Sequence, residues 1–319
     1  MWWCASIARV RILTFGGTDR IGRLVLVPGA VLVAVLLVCH PILPGGSLLP
    51  AVLPWLGLAV PVLLALAAWR RSRPALLAAV LPSIAWLAIF GGHLIPDAGA
   101  AEPDLLAVQH NVSDENRDPA GTVRALVATG ADLIGLEEVT PEALPAYAEA
   151  FPAEYRYFTF QGTVALWSRH PLAEAAALDI RPPDLGADWN RGLRAVARTP
   201  RGDVAVYVVH LPSMRLGVGG LDSARRNASA TRLGAALAAE EQERIVLLGD
   251  LNATVDDRGL EPVTAHVRTD DTAFAFSFPA SFPAVRIDHV MARSLTVDSV
   301  RTLPETGSDH LPVVARLRF

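Results

Sequence analysis

At 319 residues the chain has room for one large domain or two ordinary ones, and its 52% hydrophobic content and mean hydropathy of +0.35 exceed those of a soluble enzyme. The excess is uneven: residues 1–100 hold seven arginines against Asp19 and Asp97, a net +5, which leaves −9 of the whole-chain −4 for residues 101–319. That acidic part has no cysteine, since Cys4 and Cys39 lie before it, so a disulfide scaffold is excluded there and a strong nucleic-acid binder is disfavoured.

A basic leader with Arg9, Arg11, Arg20 and Arg23 precedes three apolar runs, Leu24 to Ile42, Leu48 to Trp69 and Pro74 to Ile95. Each approaches the roughly 20 residues that a helix needs to cross the hydrocarbon core. None carries an ionised side chain, and Pro28, Pro54, Pro61 and Pro82, which would break soluble helices, are tolerated in spans. A cleaved signal peptide would account only for the first run, which is longer than a usual signal core, and two more runs follow it. Pro44-Gly45-Gly46-Ser47 is uncharged whereas Arg70-Arg71-Ser72-Arg73 is strongly basic. The positive-inside rule then makes residues 1–23 a cytoplasmic segment and 24–95 a three-helix anchor in the cell membrane. A proline and small-residue linker, 96–103, leads to an extracytoplasmic domain at 104–319.

From Asp104 the pattern changes to buried strands alternating with helices. Strands are predicted at 104–112, 131–139, 162–168, 192–198, 204–209, 244–248, 286–292 and 312–317, and helices at 122–129 and 222–239. This order argues for sheets packed face to face with helices outside.

Polar groups follow or interrupt these strands: Asn111 after LLAVQH, Glu137 and Glu138 after LIGL, His210 after VAVYVV, Asp250 and Asn252 after RIVLLG, Asp288 and His289 after AVRI, and Ser308-Asp309-His310 before the last. Singly, several have structural explanations: Asn111 as a turn residue, Glu138 as a helix-capping acid, His210 as a satisfied strand-end histidine. Asp250 and Asn252, two apart at the end of an apolar strand, are expected to point the same way. Together the groups suit phosphate ester hydrolysis. A hard divalent ion, Mg²⁺ or Mn²⁺, takes oxygen ligands, for which Glu138 and Asp309 are the anionic candidates, with Asn111 assisting. Asp250 suits a base that aligns water, Asn252 a neutral donor to phosphate, Asp288 the partner that holds His310, and His210 a second imidazole at the phosphate.

The ordered motifs VQHNV, LIGLEEV, VVHLPS, LLGDLN, RIDHV and GSDHLPVV resemble the endonuclease/exonuclease/phosphatase superfamily, DNase I-like, over about Asp104 to Phe319. The resemblance implies a four-layer α/β/β/α sandwich and a Mg²⁺-dependent phosphoesterase. It also implies a metal glutamate at Glu138, a first-strand asparagine at Asn111, a phosphate-contacting histidine at His210, the GDxN pair at Asp250 and Asn252, and Asp288 with Asp309 and His310. The family's usual glutamine before the metal glutamate is Glu137 here. In layout, three spans before this domain, the chain resembles membrane-bound teicoplanin-resistance proteins of the VanJ type.

For the substrate, Arg191 and Arg194 are either a bidentate phosphate clamp or strand-edge charges. Arg225 and Arg226 are expected on a solvated helix face, and Met214 with 216–218 forms an apolar loop suited to lipid. A site tethered at the outer leaflet meets lipid-borne phosphates at high effective concentration, which favours a membrane-linked phosphate or pyrophosphate ester such as a polyprenyl carrier or phospholipid. The alternatives are an extracytoplasmic nuclease and a non-catalytic membrane resistance protein.

Overall fold

The computed structural model describes residues 20–40, 47–94, 102–217, 220–270 and 273–319. Arg9 and Arg11, Ile42, Pro44 to Gly46, Ile95, most of the 96–103 linker and Val218 lie outside the described residues. The chain divides into two compact units; the second takes in residues 47–52 together with 90–319.

Three helices are long and apolar enough to cross a membrane: Gly22–Cys39, Leu49–Trp69 and Arg73–Leu94, with mean hydropathies of 2.4, 2.2 and 2.0. The main α-helical stretches within them are α1 (Val27–Cys39), α2 (Leu48–Val52), α3 (Ala59–Trp69) and α4 (Arg73–Phe90). Only a few side chains, among them Leu26, Ala67 and Ala75, are buried against neighbours, while Leu24, Leu58, Leu77 and Ile84 are exposed. A helix apolar on every side finds a consistent solvent only in a protein core or in lipid.

The second unit is built on two sheets. In chain order its elements are β1 (Leu105–Asn111), α5 (Pro119–Val127), β2 (Leu133–Glu137), α6 (Leu144–Ala150), β3 (Tyr157–Gln161), β4 (Val164–Ser168), β5 (Leu172–Ala177), β6 (Gly192–Thr199) and β7 (Gly202–His210). There follow β8 (Arg215–Gly217), β9 (Gly220–Asp222), α7 (Ala224–Ala239), β10 (Ile245–Asp250), α8 (Glu261–Thr264), β11 (Asp288–Arg293), β12 (Thr296–Thr302) and β13 (Val313–Arg318). One sheet has the order β12-β13-β1-β2-β4-β3, the other β11-β10-β7-β6-β5, and β8 pairs with β9 apart from both.

Strand alternation produces the layers. Leu105 and Ala107 of β1, Val206 and Val208 of β7 and Val246 and Leu248 of β10 share one core between the sheets. Their alternate neighbours turn outward: Val108 and Ile134 meet Val123 and Leu126 of α5 and Tyr147 of α6, while Tyr207 and Leu247 meet Leu233 and Leu237 of α7 and Val263 of α8. The result is the expected helix, sheet, sheet, helix sandwich. Gly135 marks a close approach of the sheets, because a Cβ there would lie 2.9 Å from Leu248 Cδ1 and 3.3 Å from Val208 Cγ2.

The eight predicted strands all exist, but β3, β5 and β12, and the short pair β8 and β9, were not foreseen. Of these, β3 and β12 are the two edges of the six-stranded sheet and β5 is one edge of the five-stranded sheet, and all three are partly or largely exposed. An edge strand needs no continuous apolar run, and the alanine-rich LAEAAA of β5 carries little strand preference of its own.

Candidate active site

The topology brings the polar strand ends to one rim. β1 and β2 are parallel, with Asn111 opposite Glu137, and β7 and β10 are parallel, with His210 opposite Asp250. Their carboxyl ends therefore finish side by side. β11 runs antiparallel to β10 and so delivers its first residue, Asp288, opposite Asp250. β13, antiparallel to β1, likewise presents the residues before it, and the Ser308 hydroxyl donates to the Asn111 carbonyl at 2.7 Å.

At the centre, Asn111 donates from Nδ2 to Glu138 Oε1 at 3.2 Å and to Asp250 Oδ2 at 3.1 Å, while its Oδ1 accepts from the Ser113 N–H at 3.0 Å. His210 Nε2 lies 3.6 Å from Asp250 Oδ2 and 3.8 Å from Glu138 Oε1. His310 Nδ1 is 2.8 Å from Asp288 Oδ2, and its Nε2 is 3.9 Å from Asp250 Oδ2. Arg191 Nη1 stands 3.2 Å from His210 Nδ1. With an arginine on Nδ1, the imidazole accepts there and turns Nε2–H toward the two carboxylates.

Glu138 and Asn252, just past the ends of β2 and β10, both have positive φ, +61° and +51°. Residues without special side-chain freedom are held in that region only where the surroundings impose it, and such positions cluster at functional sites. The left-handed turn also changes one expectation. The strand stops at Asp250, so Asn252 does not continue its alternation: its N–H donates to Asp250 Oδ1 at 2.9 Å and its amide to the Leu211 carbonyl at 2.9 Å.

The charges are strongly coupled. Burial, then the neighbouring Asp288, pushes the Asp250 carboxyl up to about 7, against the pull of His310 and Asn111. Burial works against a charged His310, but the Asp288 charge and hydrogen bond, with Asp250 and Asp309 adding, overcome it and raise the ring to about 10. Asp288 is held low, its burial outweighed by His310. Burial, Arg191 and His310 keep His210 neutral, well below the usual range. Glu137 is fully buried, and burial with the Asp288 and Asp250 charges raises it well above an ordinary carboxyl.

Of the expected metal ligands, Glu138 lies at the centre, and Asp309 is exposed between the buried Ser308 and His310. Among the described residues, Asp250, Asp288 and His310 form a group whose ligand atoms all lie within 4.8 Å of one another. That group contains neither Glu138 nor Asp309. Since His310 Nδ1 is already committed to Asp288, its geometry fits a hydrogen-bonded acid and imidazole pair as well as an ion.

Two arginine expectations are resolved. Arg194 clamps nothing in the site; it is bidentate to Glu240 at 2.9 Å and reaches Glu174 at 2.7 Å. Arg226 is not on a solvated face but 1% exposed, paired with Asp257 at 2.6 Å and donating to Ser47 Oγ at 2.9 Å. The reason lies outside its helix: a partner carboxylate arrives from the loop after β10, and a paired guanidinium can be buried. Arg225 remains half-exposed, beside Asp184.

Sequence reasoning missed Gln109, whose Nε2 joins Glu137 Oε2 at 2.7 Å and Asp288 Oδ1 at 3.0 Å. The signal was present, since two residues before Asn111 on a strand is the same face. It also missed Ser277, whose hydroxyl accepts from the Asp288 N–H at 3.3 Å, and Phe278, whose ring lies 4.8 Å from that of His310. Both sit in the irregular segment before β11, where no periodicity marks a site.

A model of the endonuclease/exonuclease/phosphatase family matches residues 108–310, from β1 to the histidine that precedes β13. The chain belongs to that family. No curated protein matches it. Among solved structures it is similar to sphingomyelinase C from Streptomyces griseocarneus, at 21% identity and TM-score 0.51, covering 66% of this chain and 98% of that one. It is also similar to a mannosyl-6-phosphatase from Bacteroides thetaiotaomicron, at 16% identity and TM-score 0.54, covering 67% and 100%. A third is a Staphylococcus aureus beta toxin variant with bound magnesium ions, at 14% identity and TM-score 0.52, covering 67% and 99%. At these identities the likeness establishes the endonuclease/exonuclease/phosphatase fold.

Proposed function

We propose that the chain is a membrane-anchored, Mg²⁺-dependent phosphoesterase that hydrolyses phosphate or diphosphate esters at the outer membrane face, lipid-linked ones foremost. The observation that carries the reading is the meeting of Asn111, Glu138, His210, Asp250, Asp288 and His310 at one rim of the sandwich.

The donor set fits a hard cation. Asp250, Asp288 and Asp309 hold the cationic His310 while Glu138 lies beside His210, and oxygen-rich sites of this kind suit Mg²⁺ or Mn²⁺. Glu138, Asp309 and the Asn111 amide oxygen would hold the ion, the amide turning over from the orientation in which its nitrogen faces Glu138. When bound, the ion would polarise a phosphoryl oxygen and offset charge that builds on it. The family fold and a relative with bound magnesium support this assignment.

The chain's own residues supply the rest. Asp250, with its carboxyl raised toward neutrality, accepts a proton from the attacking water as that oxygen bonds to phosphorus. The P–O bond to the leaving group breaks, and its electron pair leaves with that oxygen, on the alcohol of a phosphate ester or on the remaining phosphate of a diphosphate ester, which takes a proton from solvent. His310, kept cationic by Asp288, and neutral His210 donate to the phosphoryl oxygens. Arg191, 3.2 Å from His210 Nδ1, orients the phosphate, and Asn252, whose N–H donates to Asp250 Oδ1, positions the base.

Membrane attachment rests on the three apolar helices, and the outer orientation on the arginines at 70, 71 and 73. The hydrogen bond between Arg226 and Ser47 supports it. Ser47 follows the first span and the second unit follows the third, so three crossings put both on one side. The net −9 of residues 101–319 argues for a lipid-borne phosphate over DNA.

The test is a substrate panel on the full chain in detergent with Mg²⁺: prenyl diphosphates, phospholipids, inositol phosphates and plasmid DNA, repeated with Asp250→Ala. Turnover of a lipid phosphate that the variant loses is expected. Cutting of DNA alone supports a nuclease, and turnover of nothing supports a non-catalytic protein that kept the fold.

A further inference from the structure

We propose that the cleft beside His210 is a subsite for a second phosphate, so that the substrate is a diphosphate ester and not a monophosphate. This rests on the phosphoesterase reading above and narrows its substrate.

After β7 ends at His210, the chain passes through Leu211 and Pro212 to Ser213 and Arg215. There it borders a cleft of about 170 Å³ whose lining includes Trp189, Arg191, Ser213, Arg215 and Arg225, and no carboxylate. A wider cleft of about 360 Å³ shares Ser213, Arg215 and Arg225, and only there do Asp184 and Asp222 join the wall. Three guanidinium groups thus meet in a domain whose overall charge is negative. Gathering like charges is unfavourable unless a counter-charge sits among them.

The three arginines are held in different ways. Arg191 reaches His210 Nδ1 at 3.2 Å and lies with its guanidinium carbon 5.6 Å from the Trp189 ring centroid, so the indole face supports it. Arg225 is steadied by Asp184 at 2.8 Å while 38% of its side chain stays exposed. Arg215 is exposed, with its charge open to the cleft. Guanidinium presents a planar fork of N–H donors that matches phosphate oxygens bidentately.

Arg191 ties this cleft to the catalytic rim. It touches the imidazole assigned to the scissile phosphoryl group on one side and lines the cleft on the other. A group one bridging oxygen beyond the scissile phosphorus would lie against it, with Arg215 and Arg225 closing on the remaining oxygens. A monophosphate at the rim would engage Arg191 and leave Arg215, with the exposed part of Arg225, facing a cleft that holds no anion.

The test uses the full chain in detergent with Mg²⁺ and two probes that are not turned over, methylenediphosphonate and orthophosphate, titrated calorimetrically. Methylenediphosphonate should bind at least about tenfold tighter than orthophosphate. Arg215→Ala/Arg225→Ala should cut that preference by about tenfold or more, Arg215→Lys/Arg225→Lys should restore part of it, and Arg232→Ala, paired with Asp179 outside the cleft, should leave it as in wild type. Equal affinity for the two anions in wild type, or an unchanged preference in the alanine variant, overturns the proposal. Competition by a short soluble diphosphate ester and by a long prenyl one should weaken equally in the alanine variant. Weakening confined to the prenyl ester overturns it too, because the arginines would then read the bilayer surface. The phosphoesterase reading fails separately, if Asp250→Ala releases phosphate as fast as wild type; the anion titration on that variant still decides the subsite.

Discussion

Replacing Asp288 with Asn keeps the shape of the group facing His310 and removes its charge. The His310 side chain is 7% exposed, and its Nδ1 sits 2.8 Å from Asp288 Oδ2. Burial favours a neutral ring, and Asp288 is the largest of the influences that reverse this and carry the pKa from 6.5 to about 10. That displacement corresponds to on the order of 5 kcal/mol between the two protonation states. In D288N the burial penalty stays and its main counterweight goes, so the ring should titrate below its ordinary 6.5 and be neutral at about pH 7.5. Because the folded pKa lies above the unfolded one, the pair stabilises the wild type fully below pH 6.5, and that stabilisation is lost as pH rises through about 10. D288N should lack this alkaline decline. The assay is NMR of the histidine ring carbons in the full chain, with His310→Gln to assign the signal, beside a rate profile against pH. The wild-type ring should remain cationic to about pH 9, and the D288N rate near neutrality should drop by roughly 100-fold or more. A D288N ring still charged at about pH 8, or a rate within about threefold of wild type, refutes the reasoning.

Glu137→Gln should be tolerated. Glu137 is held protonated by burial and by Asp288 and Asp250, and a carboxyl raised in this way loses stability as pH climbs from its unfolded toward its folded value; the amide removes that loss. Thermal melts at about pH 8 should show a Tm at or above wild type, and a lower Tm contradicts a neutral Glu137. Arg226→Ala leaves Asp257 buried without its partner and should cost about 3–5 kcal/mol, while Arg226→Met/Asp257→Leu recovers much of this; equal unfolding of wild type and R226A by denaturant would show the pair to be dispensable. Gly135→Ala forces a methyl to within 3.0 Å of Leu248 between the sheets and should cost about 1–3 kcal/mol in the same assay; an unchanged midpoint would mean that the sheets give way there.

The site was more legible in the sequence than the arrangement around it. Asn111, His210 and Asp250 each end a strand of buried apolar residues, so the strand both betrays them and fixes them, and parallel neighbours put such ends side by side. Asp288 and His310 could be paired because an imidazole beside buried acids needs one of them. Other features depend on partners that no local pattern encodes. Arg226 looks solvated until Asp257 is placed beside it, Arg194 looks free until Glu240 arrives from the end of α7, and Asn252 donates to Asp250 and Leu211 because the chain leaves the strand at Asp250. The edge strands β3, β5 and β12 escaped because one side of each lacks a neighbour and the burial that writes an apolar pattern.

The most direct test of the account is release of phosphate by the purified full chain, in lipid, from a prenyl diphosphate ester, measured with Mg²⁺, after chelation, and with Asp250→Asn. The account predicts turnover that chelation abolishes and Mg²⁺ restores, and a loss of about 100-fold or more in D250N with the fold intact. Turnover that survives both chelation and the Asp250 substitution would contradict it.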